Sequence, residues 1–349
     1  MSTIFFHTFK NPFITENGEQ LSEPTIAYQT WGTLNEARDN VIVVCHALTG
    51  NTEANEWFGG FFGPGKTLDP DEHFIICTNA LGSCYGTCGP VSVNPGTGKP
   101  YQADFSQITV RDIVRFDQLL LDELQIRGVE MVIGGSLGGM RALEFSIMDS
   151  RIKSAVLIAM GKAHSPWAIG ISHTQREAIY NDPNWQEGYY AKSNPPKQGL
   201  ALARKIAMNS YRSPQDFEAK FSRKRQQNSD QFQIESYLNY QGQKIVNRFD
   251  AVSYVRLTQA MDSHDIAYGR KGFRQALRKV KEPVLVIGIE SDMLYPIAEQ
   301  KELAQLLPNA HYIQIDSPHG HDGFLIEFDL MNQHILKFKK QLKNSIISH

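Results

Sequence analysis

Two hydrophobic rhythms alternate along this chain. NVIVVCHA (40–47) and HFIICTNA (73–80) are short runs in which most positions are apolar. Such runs suit strands covered on both faces, because a strand with one wet face alternates apolar and polar residues. VRDIVRFDQLLLDEL (110–124) follows with a repeat of about 3.6 residues, the mark of a helix with one apolar stripe. Thr109 stands where its hydroxyl would cap the first turn. EMVIGGS (130–136) is again strand-like and runs into a helix beginning LGGMRALEFSIM, and IKSAVLIAM (152–160) is a further strand.

From about Lys162 to Arg278 the rhythm changes. The text becomes polar and rich in Gln, Asn, Arg and Tyr. QGLALARKIAMNSY and PQDFEAKFSRKRQQ read as helices, and no strong strand pattern appears. Alternation resumes with the strand PVLVIGIES (283–291), the helix PIAEQKELAQLL (296–307), the strand AHYIQID (310–316) and a closing helix GFLIEFDLMNQHILKFKKQL (323–342). Strands alternating with helices predict the α/β class, a mostly parallel sheet flanked by helices. The helical middle divides that core: residues 1–163 form its first part, 164–278 an inserted lid, and 279–349 its second part. Sites in open α/β sheets lie beyond the carboxyl ends of the strands, so the lid is expected over that edge.

Composition narrows the function classes. The chain has 349 residues, 41% hydrophobic and 21% charged, with a formal net charge of −2. No overall field favours nucleic acid or an anionic membrane. No stretch approaches the ~20 apolar residues that span a bilayer. MSTIFFHTFKNPF lacks a basic segment followed by a long apolar run, so no secretory signal is expected. The cysteines, Cys45, Cys77, Cys84 and Cys88, all fall in one early segment. Such sparse usage points to a reducing cytoplasm. Cys84 and Cys88 have no second Cys/His pair at zinc-ligand spacing, so no metal is expected.

Two glycine-rich stretches compete for the chemistry. GFFGPGKT (60–67) fits G-x-x-x-x-G-K-[ST], but a phosphate loop must follow a buried strand and open a helix. NTEANEW precedes it, LDPDEHFIIC follows it directly into a strand, and Asp69 and Asp71 would repel phosphate. A loop near the mouth of a site is the better reading. GGSLGG, by contrast, places Ser136 in G-x-S-x-G between a strand and a helix. That is the setting of a nucleophile elbow, whose tight turn holds the hydroxyl proud of the sheet.

A serine hydroxyl needs a base, and the base an orienting acid. On this architecture the chain order is Ser, then Asp or Glu, then His. Asp292 opens the loop SDMLYP after one predicted strand. His319 and His321 lie in SPHGHDGF after the next, and the residues alone leave both open as the base. Two backbone amides should face the developing oxyanion. One belongs to Leu137, after the nucleophile; the other is expected at Leu48, in the loop CHALTGN. His46 in that loop reads as a packed histidine.

Together, HALTGN, GPGKTLDP, GTCGPVSVNPGTGKPY, GGSLGGMRALEF, GLALARKIA, RFDAVSYVRLTQAMDSHD, SDMLYP and GHDGFL resemble the homoserine O-acetyltransferases of methionine biosynthesis, enzymes of the α/β-hydrolase fold. The resemblance runs over nearly the whole chain, helical insertion included. It implies Ser136 as nucleophile, Asp292 as acid and His321, from the G-H-D motif, as base. It further implies that Asp322 meets the substrate ammonium, that Arg204 pairs with its carboxylate, and that Tyr211 lines the same site. Acetyl-CoA would be a co-substrate, L-homoserine the acceptor, and the mechanism ping-pong, with no resident cofactor. A homodimer through the lid is implied as well. Succinyl-using relatives tend to carry an arginine two residues after the triad aspartate; Leu294 stands there and favours acetyl. Cys88 and Arg141 depart from the residues usual at their positions. The rival readings are a homoserine O-succinyltransferase or serine O-acyltransferase with the same triad, an esterase-like hydrolase, and a non-catalytic binding protein.

Overall fold

The computed structural model describes residues 3–347; Met1 and Ser2 of the N-terminal stretch, and the last two residues of the closing segment, lie outside them. Eight strands build one sheet: β1 (Phe5–Thr8), β2 (Thr25–Trp31), β3 (Val41–Cys45), β4 (Phe74–Thr78), β5 (Val129–Gly135), β6 (Ala155–Ile158), β7 (Val284–Ile289) and β8 (Ala310–Ile315). Their order is β1-β2-β4-β3-β5-β6-β7-β8. β2 alone runs against the rest of the sheet, antiparallel to both β1 and β4; β3 to β8 pair in parallel, with Val43 opposite Ile76 on one side and Val132 on the other.

The side chains of the central strands sort by face. Val41, Val43 and Cys45 enter one apolar cluster, and Ile42 and Val44 the opposite one. β6 does the same, with Ala155 and Leu157 on one face and Val156 and Ile158 on the other. This alternation between two dry faces is why these strands read as unbroken apolar runs. The first cluster is closed by α1 (Val110–Glu123) and α2 (Leu137–Met148), the second largely by the closing helix. Thr109 caps α1 in a reciprocal pair: its hydroxyl accepts from the Asp112 amide at 3.1 Å, and Asp112 accepts from the Thr109 amide at 3.0 Å.

Between β6 and β7 the chain leaves the sheet for α3 (Pro166–Tyr180), α4 (Lys197–Tyr211), α5 (Pro214–Lys220), α6 (Gln233–Val246), α7 (Ala251–Asp262) and α8 (Phe273–Leu277). The outgoing and returning legs run side by side. The His164 amide donates to the His264 carbonyl at 2.7 Å, and Ala163 bridges Asp265. Beyond that join, Ile266, Ala276, Leu277 and Val280 pack into the first apolar cluster.

The structure differs from the sequence reading at three places. β1 and β2 have no counterpart in it. β1 lies at the sheet edge with Phe5 and Phe6 exposed, and β2, paired on both sides, mixes buried Ile26 and Ala27 with polar positions, so neither reads as an unbroken apolar run. α5 stops at Lys220 instead of continuing through SRKRQQ, because Ser222 takes a positive φ of 46° and the basic run offers no apolar stripe. The closing helix, α10 (Phe328–Ile347), starts later than expected; a 3₁₀ turn occupies Gly320–Leu325, and α9 (Ile297–Leu306) precedes it.

Candidate active site

The turn from β5 into α2 is forced by contact. Ser136 takes φ 57° and ψ −126°, and is 5% exposed. Its amide donates to the Ile158 carbonyl of β6 at 3.0 Å. A Cβ on Gly134 would stand 2.3 Å from the Gly138 backbone, and one on Gly138 would stand 2.1 Å from the Cys45 carbonyl oxygen. Only glycine allows so close an approach of backbone to backbone. The strained serine dihedrals are thus held by packing on both sides.

The contact of Gly138 with Cys45 also places the loop after β3 against the start of α2. His46 fixes that loop. Its Nε2 accepts from the Ala80 amide at 2.9 Å, so Nδ1–H faces the Ala47 carbonyl at 2.8 Å. Burial, seconded by the nearby Arg141 charge, pushes this imidazole down to about 3, so it is neutral and structural. Leu48 follows in the same loop, buried. Leu137 opens α2, so its amide is among those that a helix leaves without an internal acceptor.

Asp292 and His321 meet directly. His321 Nδ1 lies 2.8 Å from Asp292 Oδ2, and both side chains are buried. The other carboxylate oxygen accepts from the Leu294 and Tyr295 amides, each at 2.9 Å. That arrangement aims one oxygen at the imidazole and leaves Nε2 as the ring nitrogen for proton transfer. The His321 turn lies over the nucleophile turn: Phe324, its ring 5.3 Å from the imidazole, packs where a Cβ on Gly135 would stand. Tyr295 and Tyr211 place rings 5.4 and 5.6 Å from the same imidazole.

His319 is placed differently. Its Nδ1 is 2.6 Å from Asp216 of α5, a lid residue. Geometry therefore separates two histidines that the residues alone left equal, since only His321 faces Asp292.

The groups expected to read an amino acid gather on the lid side. The Arg204 guanidinium of α4 lies over the Tyr211 ring at 5.3 Å. Burial raises the Tyr211 phenol above its ordinary range, with Arg204 opposing. Asp322 forms an ion pair with Arg212, Nε to Oδ2 3.0 Å. Burial lifts its carboxyl, and Arg212, then Arg204, pull it back. Leu294 is buried beside Asp292. Arg212, Tyr295 and Phe324 were not singled out from the sequence. Each acts through a packed neighbour, so its only signal was adjacency to a motif.

Other features of the sequence are accounted for by their own surroundings. Arg141 is fully buried and donates to Asp117 and to Thr78, each at 2.8 Å. The Cys88 thiol is buried and pushed up to about 12. In GFFGPGKT the protein occupies its own donors: the Gly65 amide bonds to the Asp69 carboxylate at 2.6 Å, and the Thr67 amide and hydroxyl both bond to Asn332. No phosphate cradle is left open there. Among the described residues no group of three or more His, Cys, Asp or Glu is placed to hold a metal ion.

Comparison with known proteins agrees with the fold and places the chain in a family. The α/β hydrolase fold profile matches residues 40–328. The homoserine O-acetyltransferase of Trichormus variabilis is 51% identical over 332 residues, covering 95% of this chain and 92% of that protein. The crystal structure of homoserine O-acetyltransferase from Bacillus anthracis superposes with a TM-score of 0.91 at 27% identity, covering 97% of this chain and 98% of that one. Esterase E22 shares the fold, with a TM-score of 0.90 at 24% identity over 97% of this chain and 100% of its own.

Proposed function

We propose, from the premise that this chain belongs to the homoserine O-acetyltransferase family of α/β-hydrolase-fold enzymes, that it moves acetyl from acetyl-CoA to the hydroxyl of L-homoserine through an acetyl-serine at Ser136. The observation that carries the mechanism is the Asp292–His321 pair at 2.8 Å, in a turn packed over the Ser136 elbow.

Ser136 Oγ attacks the thioester carbonyl while His321 Nε2 takes its proton. The oxyanion is met by the Leu48 and Leu137 amides. Collapse breaks the carbon–sulfur bond, and the departing thiolate of CoA takes the proton back from His321. In the second half, the homoserine hydroxyl gives its proton to His321 and attacks the acetyl-serine. Breaking the ester to Ser136 returns the proton to Oγ and releases O-acetylhomoserine. Acetyl-CoA is consumed as co-substrate, and no resident cofactor enters these steps.

The acceptor is a zwitterion, which suits one guanidinium and one carboxylate placed apart. Arg204 takes its carboxylate, Asp322 its ammonium, and Tyr211 lines the space between them. Esterase E22 shows that the fold alone does not separate transfer from hydrolysis. Transfer wins when the lid and the bound amino acid exclude water from the acetyl-serine. Leu294, neutral and buried beside Asp292, suits acetyl rather than an acyl chain ending in a carboxylate.

No helix among the described residues is long and apolar enough to cross a membrane; the sparse cysteines favour the cytoplasm. A homodimer through the lid is supported by Leu202 on α4 and Tyr240 on α6, both exposed on helices packed closely together.

Intact-mass spectrometry after incubation with acetyl-CoA alone tests the mechanism. An acetyl adduct that appears on the wild type and not on Ser136→Ala is expected. Transfer to homoserine without any adduct at rapid-quench times would replace the acetyl-serine with direct transfer.

A further inference from the structure

The acceptor reading assigns Arg204 and Asp322 and leaves Arg212 without a role. Arg212 is the residue after Tyr211, at the end of α4. Its guanidinium joins two carboxylates: Nε stands 3.0 Å from Asp322, and Nη1 donates to Asp216 at 3.3 Å. Asp216 in turn holds His319 at 2.6 Å. The backbone is closed at the same place. The Ser213 hydroxyl donates to the Pro318 carbonyl, and a Cβ on Gly320 would stand 2.7 Å from the Ser213 amide nitrogen. One lid residue therefore ties the lid to the turn that carries both His321 and Asp322.

A carboxylate recognises an ammonium only when ionised and correctly aimed. Asp322 is well enclosed, its side chain 16% exposed, and burial favours its neutral form. Arg212 is the foremost charge opposing that. Because Arg212 engages Oδ2, an arriving ammonium is directed to Oδ1.

We infer that Arg212 is a positioning residue for acceptor recognition: from the lid side it holds Asp322 charged and oriented, and so sets the preference for hydroxyl acceptors that carry an ammonium. The inference rests on the assignment of Asp322 to the substrate ammonium.

Arg212→Met and Arg212→Lys are compared with the wild type in three assays. Exchange of labelled CoA into acetyl-CoA reports the first half-reaction alone. Steady-state kinetics give KM and kcat for L-homoserine. The ratio of kcat/KM for L-homoserine to that for γ-hydroxybutyrate, which lacks the amino group, reports ammonium recognition. Arg212→Met is expected to keep exchange within about twofold, raise KM for homoserine about tenfold and lower the ratio by a similar factor, with Arg212→Lys recovering part. An unchanged ratio overturns the inference. So does exchange falling in step with transfer, which would mean that Arg212 only braces the His321 turn. If Arg212→Met fails to fold by circular dichroism, the ratio for Arg212→Lys decides: a lowered ratio supports the inference and an unchanged one overturns it. Asp322→Asn, run alongside, separates the two failures. If it keeps the ratio, the assignment of Asp322 falls and this inference with it. If it lowers the ratio and Arg212→Met does not, only the role of Arg212 falls.

Discussion

The sheet rim and the lid meet at one imidazole but are built in different ways. The rim groups stand where short backbone segments end on rigid strands. Ser136 is wedged between glycines, Asp292 is gripped by two amides, and both are buried. The lid groups, Arg204 at the middle of α4 and Tyr211 and Arg212 at its end, are only partly buried. Bond-making chemistry needs atoms fixed within fractions of an ångström, which a packed sheet edge supplies. Recognition of an acceptor needs charges that a substrate can reach, which a helical insertion supplies without disturbing the sheet.

That division is tested hardest at Ser136. Ser136→Ala removes the proposed acyl carrier and should lower kcat by the order of 10⁴-fold in a coupled assay of CoA release, with folding unchanged by circular dichroism. Retention of most activity would show that the rim does not carry the chemistry. Arg204→Ala probes the lid side. It should raise KM for homoserine roughly 10- to 100-fold while acetyl-enzyme formation, followed by quench-flow, stays near wild type. A loss confined to acetyl-enzyme formation would place Arg204 on the wrong side of the division.

The seam itself is Gly320. Its φ of +66° and its closeness to the Arg212–Ser213 backbone leave no room for a side chain. Gly320→Ala should cost about 2 kcal/mol in urea denaturation and lower kcat by displacing the neighbouring His321. If stability falls while kcat holds, lid and rim are less tightly joined than the contacts imply.

The smallest effect is one of pH. His46 in the rim loop and His164 at the root of the lid are both pushed down by burial from 6.5 to about 3. The unfolded chain takes up these protons near its ordinary value, whereas the folded chain refuses them until about pH 3. Their contribution is therefore whole above about pH 6.5 and shrinks as pH falls. Near pH 5 each should cost on the order of 1–2 kcal/mol. Denaturation at pH 7 and pH 5 should show the loss, and His46→Gln and His164→Gln should each flatten it. A slope unaffected by either variant would assign the acid sensitivity to other groups.

Much of this was legible in the text. The central strands announced themselves because both of their faces are dry. Ser136 was legible because an elbow needs glycines on both sides, and glycine spacing survives in one dimension. The Asp292 and His321 loops were legible because each follows a strand, and strand ends share an edge. β1 and β2 were not, since β1 is an exposed edge and β2 mixes buried apolar with polar positions, so neither carries an unbroken apolar run. Arg212 was not either, because an arginine at the end of a polar helix has the same appearance whether it faces water or two carboxylates.

The amino-acid sequence by itself determined the alternation of strand and helix, the elbow and the chain order of Ser136, Asp292 and His321. These follow from local periodicity and turn chemistry, which act between near neighbours. The tertiary structure supplied the contact that singles out His321, which the residues alone left level with His319, and it alone decided that GFFGPGKT spends its donors on Asp69 and Asn332 and that Arg212 spans lid and rim. Each of those depends on a partner far away in the chain, and a contact of that kind exists only once the sheet and the insertion have closed on one another.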